Sequence, residues 1–288
     1  MKWIDYASAS SVQEAVDLLK GGGARPLAGG TDLLVNLRVG RLDPDTVVDV
    51  KAIPELNEVS YGASTGLTLG AAVPCYKIYN NKAVAEAYPG LMDAATLIGG
   101  TQIQGRASIG GNLTNAAPSG DSIPVLIALG ATANIAGPSG TRQVAVEDFC
   151  TGPGRNVLKQ GELLVSLSIP APAKNSGAQY MRFIPRNEMD IAVAGAGVSV
   201  ELANGTFKSA RIALASVAPT PLFVKAAGDA LAGKPVNDDS ISVAAGIARD
   251  AAKPITDMRG TIEYRKHLCE VLTRRGLNIA IERAKENK

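Results

Sequence analysis

Two glycine pairs, Gly29-Gly30 and Gly110-Gly111, constrain this chain more than any other feature of its sequence. They lie in the segments PLAGGTDLL (26–34) and SIGGNLTNAAPSGD (108–121), beside short polar side chains. Paired glycines allow consecutive backbone N–H groups to converge on one anion, because no Cβ stands in the way. A helix that begins directly after such a turn adds free N–H groups of its own. Each pair taken alone is equally consistent with an ordinary tight turn.

The two turns together favour a site for a dinucleotide. A diphosphate bridge fits a cradle made mostly of backbone amides, to which Ser, Thr and Asn side chains add further donors. Such a cradle needs no Lys or Arg nearby. Asp121 ends the second segment. It is predicted either to accept a hydrogen bond from a ribose hydroxyl or a ring N–H of the ligand, or to cap the helix expected from Ile123.

The composition argues against several classes of function. Lys and Arg number 29 against 27 Asp and Glu in 288 residues, and no run of five like charges occurs. This near balance argues against a nucleic-acid or anionic-membrane surface. The N-terminus lacks an apolar signal core, and no apolar stretch approaches the roughly 18 residues of a membrane span. We therefore expect a cytoplasmic protein with no transmembrane segment.

Histidine and cysteine are too few for the commonest catalytic and metal sites. His267 is the single histidine, and it lies in a charged helical pattern where a solvated imidazole is expected. Cys75, Cys150 and Cys269 are far apart and form no C-x-x-C pair, so neither a disulfide framework nor a zinc or iron–sulfur site is indicated. If the protein is an enzyme, its difficult chemistry belongs to a bound group.

The alternation of short strands and helices predicts an α+β chain. Ser11 and Glu14 form a capping box before the first helix. Residues 170–176, rich in Pro, Ala and Ser, are the best candidate for a linker. Beyond them, Asn204-Gly205 predicts a type I′ hairpin between two strands. Helices are then expected over 223–232, over 238–251 and in one long final segment.

Two further glycine motifs are better explained by local structure than by nucleotide binding. GDALAGKP (228–235) imitates a phosphate-binding loop, but Pro235 replaces the metal-binding hydroxyl and the segment ends a helix, so a helix C-cap is expected there. GAGVSV (195–200) begins like a dinucleotide fingerprint, but Val200 stands where the third glycine belongs and a hairpin follows. In the second motif, Gly and Ala are expected to allow close packing.

The two glycine segments, taken with their surroundings, closely resemble the FAD-binding medium subunit of the molybdenum hydroxylases. That family includes xanthine dehydrogenases, carbon monoxide dehydrogenase and dehydrogenases of N-heterocycles and aldehydes. The resemblance is carried by PLAGGTDLL and by IGGTQIQGRASIGGNLTNAAPSGDSIPVLIALGA (98–131). It extends over nearly the whole chain through GELLVSLSIP, RNEMDIAVAGAGVSV and RGTIEYRKHL.

This resemblance implies a particular fold and set of domains. The expected fold is a two-lobed FAD-binding domain of the vanillyl-alcohol-oxidase (PCMH) type, followed by a C-terminal α/β sandwich domain like that of CO dehydrogenase flavoproteins. Residues 1–55 and 56–173 would form the two lobes, and residues 174–288 the C-terminal domain. The implied FAD-binding residues are Ala28, Gly29, Gly30, Thr31, Asp32, Leu33, Ile103, Ser108, Ile109, Gly110, Gly111, Asn112, Asp121 and Val165.

The resemblance also implies partners and an electron-transfer role. A molybdopterin-binding large subunit would oxidise the substrate, and a [2Fe-2S] small subunit would relay the electrons to FAD on this chain. An external acceptor such as NAD or a quinone would then receive them, and a dimer of heterotrimers is expected. Val193 stands where a xanthine-oxidising branch aligns a lysine, and Ile191 where the CO-oxidising branch has a tyrosine. With three scattered Cys, the chain lacks the iron–sulfur insertion of members that reduce aromatic thioesters.

Two other hypotheses remain open from the sequence. The chain could be a self-sufficient FAD-dependent oxidoreductase with its own small organic substrate, for which Arg186 and Asp190 are the nearest candidates for an acid or base. It could also be a flavin-free structural subunit that keeps the glycine turns for packing.

Overall fold

The computed structural model describes residues 3–287, which form three main sheets. The first lobe consists of β1 (Asp5–Ser8), α1 (Val12–Leu19), β2 (Ala24–Leu27), α2 (Leu33–Arg38) and β3 (Thr46–Asp49). Its strands are parallel and lie in the order β1-β3-β2. Because parallel neighbours need crossover connections, the two short helices alternate with the strands. The Gly29-Gly30 turn therefore joins the end of β2 to the start of α2.

The first helix begins as its sequence predicts. The Ser11 hydroxyl accepts a hydrogen bond from the Glu14 N–H at 3.2 Å. The Glu14 carboxylate accepts in turn from the N–H of Ser10, at 2.8 Å, one residue earlier than in the usual capping box. Ala15, Val16 and Leu19 form the buried face of this helix.

The second lobe is an antiparallel sheet flanked by short helices. A 3₁₀ turn (Pro54–Asn57) leads into β4 (Val59–Gly62), β5 (Gly66–Gly70), α3 (Cys75–Tyr79), α4 (Lys82–Ala87), α5 (Pro89–Ala95), α6 (Thr101–Gln104), α7 (Ile109–Asn115), α8 (Ser122–Ala128), β6 (Thr132–Gly137), β7 (Gly140–Ala145), a second 3₁₀ turn (Val146–Asp148), β8 (Cys150–Gly152), β9 (Arg155–Asn156) and β10 (Leu163–Ile169). Five strands lie in the order β4-β5-β10-β6-β7. The last strand thus returns to the centre of the sheet, while β8 and β9 form a separate small hairpin.

The C-terminal domain is a four-stranded antiparallel sheet covered by helices. It consists of β11 (Ser176–Phe183), β12 (Ala194–Ala203), β13 (Thr206–Ala215), β14 (Leu222–Phe223), α9 (Lys225–Leu231), α10 (Asp238–Ala251) and α11 (Ile262–Glu286). Asn204 and Gly205 connect β12 to β13 with φ values of 50° and 74°. Positive φ at both positions is the requirement of a type I′ turn, so the predicted hairpin is confirmed.

Helix α8 of the second lobe lies against the sheet of the C-terminal domain. A Cβ at Gly197 would come within 2.5 Å of the Pro124 carbonyl carbon, so this glycine allows β12 to touch the helix backbone. At the end of α8, Ser199 Oγ donates to the Ala128 carbonyl at 2.5 Å. Farther away, Arg283 of α11 forms a two-pronged ion pair with Asp93 of α5 at 2.6 and 3.0 Å. The domains are therefore joined by backbone contact as well as by charge.

Most of the predicted elements are present, with small differences in their bounds. Residues 170–175 between β10 and β11 contain no regular element, as the linker prediction expects. The helix expected over 223–232 begins later, at Lys225, because Leu222 and Phe223 pair with β13 as a short strand. Both structural explanations are confirmed. Helix α9 ends at Leu231 within the first motif, where Gly233 has φ +74°, and Gly197 of the second motif contacts α8.

We expect Gly197→Ala to lower the free energy of unfolding by about 2 kcal/mol, because the new methyl group has only backbone atoms to displace. Gly246→Ala is the matched control. Gly246 lies in the interior of α10 with no neighbouring atom within 4 Å of a built Cβ, so alanine should raise stability by up to about 1 kcal/mol. Urea unfolding of both variants checks this, and equal effects would contradict the close approach of α8.

Candidate cofactor site

A large cleft runs between the two lobes and has a volume of about 1180 Å³. This exceeds the roughly 300–1,000 Å³ of most small-ligand pockets and suits an extended ligand. Ten of the fourteen predicted site residues line it: Ala28, Gly29, Gly30, Thr31, Asp32, Leu33, Ser108, Gly110, Gly111 and Asn112. The two glycine segments, about eighty residues apart in sequence, therefore meet in one cleft.

The first glycine segment forms one wall of the cleft and touches the second lobe directly. A Cβ at Gly29 would overlap the Arg106 carbonyl oxygen, so only glycine allows this approach. Gly30 has φ +78°, a left-handed conformation that glycine adopts without strain. The backbone N–H groups of residues 29–33 form no backbone–backbone hydrogen bond with another described residue. Because they are free of such partners and precede or begin a helix, they are suited to a ligand with several acceptor oxygens.

The second glycine segment is held by the cap of α7. The Ser108 hydroxyl is buried and accepts a hydrogen bond from the Gly111 N–H at 3.0 Å. Gly110 lies so close to the backbone of Ala71 that a Cβ would overlap the Ala71 carbonyl oxygen. The Gly110 N–H has no acceptor in the part of the chain that the structure describes. This wall of the cleft thus also presents a backbone donor.

Asn112 adds an oriented side-chain amide to the same wall. Its Oδ1 accepts hydrogen bonds from the Ser122 hydroxyl at 2.7 Å and from the Ser122 N–H at 3.3 Å. These two bonds fix the amide plane. The Asn112 Nδ2, which has no partner within residues 3–287, therefore remains as a donor for a ligand in the cleft.

The cleft is also lined by four cationic side chains that the sequence analysis did not identify: Arg25, Arg41, Arg155 and Lys159. None of them forms an ion pair with a described residue. They come from the first lobe and from the β9–β10 region, so no local pattern in the sequence marks them as a group. Their charge suits an anionic ligand and adds to the backbone donors of the two glycine segments, although such a cradle was expected to need no Lys or Arg nearby.

Two carboxylates also line the cleft, Asp32 and Glu162. Glu162 is neutralised by Arg142 at 2.7 Å, and this partner lowers the pKa of its carboxyl. Asp32 is open to solvent at the cleft rim, yet desolvation by the surrounding protein raises its pKa. Asp32 makes no capping hydrogen bond to α2.

Four predicted site residues do not line the cleft: Ile103, Ile109, Asp121 and Val165. Ile109 is fully buried in the core of the second lobe, and Ile103 packs against that core. Val165 packs against the core cluster of the first lobe, while its neighbours Leu163 and Leu164 line the cleft instead. Asp121 precedes α8 but makes no capping hydrogen bond, so the capping alternative is wrong.

The Asp121 carboxylate binds two side chains of β11. It accepts a hydrogen bond from the Tyr180 hydroxyl at 2.7 Å and forms an ion pair with Arg182 at 2.6 Å. Burial raises the pKa of Asp121 to about 6 despite the opposing effect of Arg182, so the carboxyl is ionised at neutral pH. The end of the second glycine segment is thereby anchored to the C-terminal domain.

The described residues contain no cluster suited to metal binding and no cysteine with a lowered pKa. No group of three or more His, Cys, Asp or Glu side chains within residues 3–287 could hold a metal ion. Burial raises the pKa of the Cys75 and Cys269 thiols to about 12, and that of Cys150 to about 11, so none is a ready thiolate. Arg186 and Asp190 form only an open pair at 3.4 Å, with Arg186 69% exposed. None of the helices described is long and apolar enough to span a membrane.

Comparison with known proteins decides the family. Residues 2–172 match the family described as the FAD binding domain in molybdopterin dehydrogenase. Residues 179–280 match the CO dehydrogenase flavoprotein C-terminal domain. The chain belongs to the FAD-binding medium subunits of the molybdenum hydroxylases. The fold expected from the resemblance is thus confirmed, and the FAD-binding domain contradicts the flavin-free hypothesis.

Relatives of this medium subunit match it over almost its whole length. The carbon monoxide dehydrogenase medium chain of Afipia carboxidovorans is 32% identical over 98% of both chains. The xanthine dehydrogenase FAD-binding subunit of Escherichia coli is 30% identical over 97% of this chain and 96% of the relative. The solved carbon monoxide dehydrogenase from Hydrogenophaga pseudoflava superposes with a TM-score of 0.93 at 33% identity, covering 98% of each chain.

The cleft of this medium subunit fits FAD in three independent respects. Its volume of about 1180 Å³ accommodates a dinucleotide. Its glycine segments offer backbone N–H groups that lack acceptors among the described residues, as a diphosphate requires. Its unpaired cations can balance the two negative charges of that diphosphate.

We expect Gly29→Ala to abolish or strongly reduce FAD binding, because the methyl group would drive the lobes apart at the Arg106 carbonyl. Gly21→Ala is the matched control, since a Cβ at Gly21 would meet no atom within 4 Å. The ratio of flavin to protein absorbance after purification measures the effect. A full flavin complement in Gly29→Ala would show that the lobe contact is dispensable.

Asn112→Asp should weaken FAD binding about tenfold or more. The new carboxylate keeps the acceptor used by Ser122 but replaces the Nδ2 donor with a negative charge inside the cleft. Titration of apoprotein with FAD, followed by flavin fluorescence, gives the dissociation constant. Asn80→Asp, outside the cleft, provides the control, and equal affinities for the two variants would contradict the role of the Asn112 amide.

Proposed function

We propose that this medium subunit is an electron-transfer component of a multisubunit molybdenum hydroxylase. It would take electrons from [2Fe-2S] clusters of a partner subunit and pass them to an external acceptor. The observation that carries this proposal is a dinucleotide-sized cleft of backbone donors in a chain whose described residues hold no metal-binding cluster. Such a chain is suited to hold a redox cofactor and not to transform an organic substrate by itself.

In this proposal, the residues of the chain bind, orient and shield the cofactor. The N–H groups of residues 29–33 and of Gly110 would bind the diphosphate from opposite lobes. Asn112 would donate from Nδ2, and Arg25, Arg41, Arg155 and Lys159 would neutralise the phosphate charges. The anchor at Asp121 would hold the end of the second segment. When bound, FAD supplies the capacity to accept and release one or two electrons.

We assign the other steps of the overall reaction to partner subunits. The relatives with full-length similarity are named as a medium chain of carbon monoxide dehydrogenase and as an FAD-binding subunit of xanthine dehydrogenase. Their identities to this chain, 32% and 30%, differ little although their named substrates differ greatly. This supports a substrate site on another polypeptide, which would be a molybdopterin-binding large subunit, with a [2Fe-2S] small subunit between them.

The proposal predicts that the purified chain binds FAD but does not reduce it with any organic substrate of the complex. A tagged chain recovered from its host should bring two partners with it, together with molybdenum and iron. In that assembly, the substrate of the complex should bleach the flavin absorbance under anaerobic conditions. The isolated chain with bound FAD is the control.

Two outcomes would contradict this function. Flavin bleaching by an organic substrate in the isolated chain would favour a self-sufficient oxidoreductase. Recovery of the tagged chain without partner, molybdenum and iron would refute the assembly. Chemical reduction of the bound flavin by dithionite shows in either case that the cofactor is redox-active.

A further inference from the structure

Arg265 is a buried cation that binding of the diphosphate does not use. It lies in the first turns of α11, within RGTIEYRKHL, and its side chain is 5% exposed. Nη1 donates to the carbonyl oxygens of Val193 at 2.8 Å and Ser216 at 3.1 Å. Nη2 donates to Asp257 at 2.6 Å. One guanidinium group thus joins three separate chain segments to the final helix.

The Ser216 contact leads directly to the cofactor cleft. Ser216 follows β13 and has φ +66°, a conformation that is strained for a residue with a side chain. Its N–H donates to the Pro118 carbonyl at 2.8 Å, and Pro118 lines the cleft. Arg265 donates a hydrogen bond to the Ser216 carbonyl, and the Ser216 N–H donates to the Pro118 carbonyl. Arg265 therefore helps to fix the position of Pro118 through Ser216. The buried Ser216 hydroxyl has no hydrogen-bond partner among the described residues, so the link runs through the backbone alone.

The Val193 contact leads to the same cleft by a second route. Val193 closes segment 184–192, of which residues 185–189 and 191 are exposed, through its N–H, which donates to the Phe183 carbonyl at 2.9 Å. In that segment, the Met189 sulfur lies 3.3 Å from the position of a Cβ built on Gly100. Gly100 is two residues beyond Ile98, which lines the cleft. Segment 184–192 therefore packs beside the Ile98 end of the cleft, and Arg265 fixes its base.

We propose that Arg265 is a positioning residue for the flavin site, which acts through Ser216 on Pro118 and through Val193 on segment 184–192. This inference rests on the proposed function in one respect, namely that FAD is the ligand bound in the cleft. No described residue of the C-terminal domain lines the cleft. The Arg265 hydrogen bonds to Val193, Ser216 and Asp257, here called the Arg265 clamp, nonetheless give this domain an effect on the cofactor. Arginine suits the task because its planar group presents several donors in fixed directions, whereas lysine presents a single flexible ammonium.

The test is FAD binding by the full chain carrying Arg265→Lys. We expect the dissociation constant for FAD to rise about tenfold, since at least one charged hydrogen bond to Val193 or Ser216 is lost. The visible circular dichroism of the bound flavin should also change, because the cleft wall shifts at Pro118. Should Arg265→Lys fail to fold, Asp257→Asn serves instead. The Asp257 side chain is 30% exposed and pairs with the Arg265 guanidinium, so Asp257→Asn weakens this pair without creating a buried cavity. This variant should also raise the dissociation constant for FAD.

Two controls separate positioning from loss of stability. Leu272→Ala removes a buried side chain from the same helix, away from the clamp, and should lower the unfolding temperature with little change in FAD affinity. Ser216→Ala keeps the two backbone bonds and should bind FAD as the wild type does. Wild-type affinity and spectrum in both Arg265→Lys and Asp257→Asn would overturn the inference, as would equal weakening by Leu272→Ala. A wild-type chain that binds no FAD would instead refute the proposed function.

Discussion

The contact between Gly29 and the Arg106 carbonyl is the interaction on which the cofactor cleft depends. This contact brings the turn after β2 against the loop that precedes α7. The two lobes, which have separate sheets, therefore form the opposite walls of one cleft. A side chain at position 29 would prevent this approach. In the same way, the lack of a Cβ at Gly110 allows α7 to lie against Ala71. The backbone donors of both segments become useful to one ligand only because these close approaches place them together.

The C-terminal domain supports the cleft without lining it. Its sheet touches the backbone of α8 at Gly197, and β11 binds Asp121 through Tyr180 and Arg182. The segment that carries the second glycine pair is therefore fixed at its start by the Ser108 cap and at its end by a buried ion pair. A buried carboxylate needs such partners, because desolvation without them would be costly. The C-terminal domain therefore supports the cleft from outside its described lining.

Local signals made much of the fold predictable, whereas the fourteen candidate FAD-binding residues came from the family resemblance, and ten of them line the cleft. The Ser11 cap, the Asn204-Gly205 hairpin and the helix over 238–251 depend on neighbouring residues, so the sequence reveals them. The cations of the cleft could not be predicted, since Arg25 and Arg155 become neighbours of one cleft only when the lobes close. The same limit applies to Asp121, whose partners Tyr180 and Arg182 lie about sixty residues away.

The sequence by itself determined that this protein has two glycine turns with backbone N–H groups suited to an anion, an α+β fold, and too few histidines and cysteines for a catalytic cluster of them. These properties follow from residue chemistry and short-range backbone preferences, which act before the chain folds. Only the tertiary structure decided which residues form the cleft, which cations join it and how Arg265 reaches Val193 and Ser216. Those properties depend on close approach between distant segments, and the packing of whole sheets and helices sets that approach.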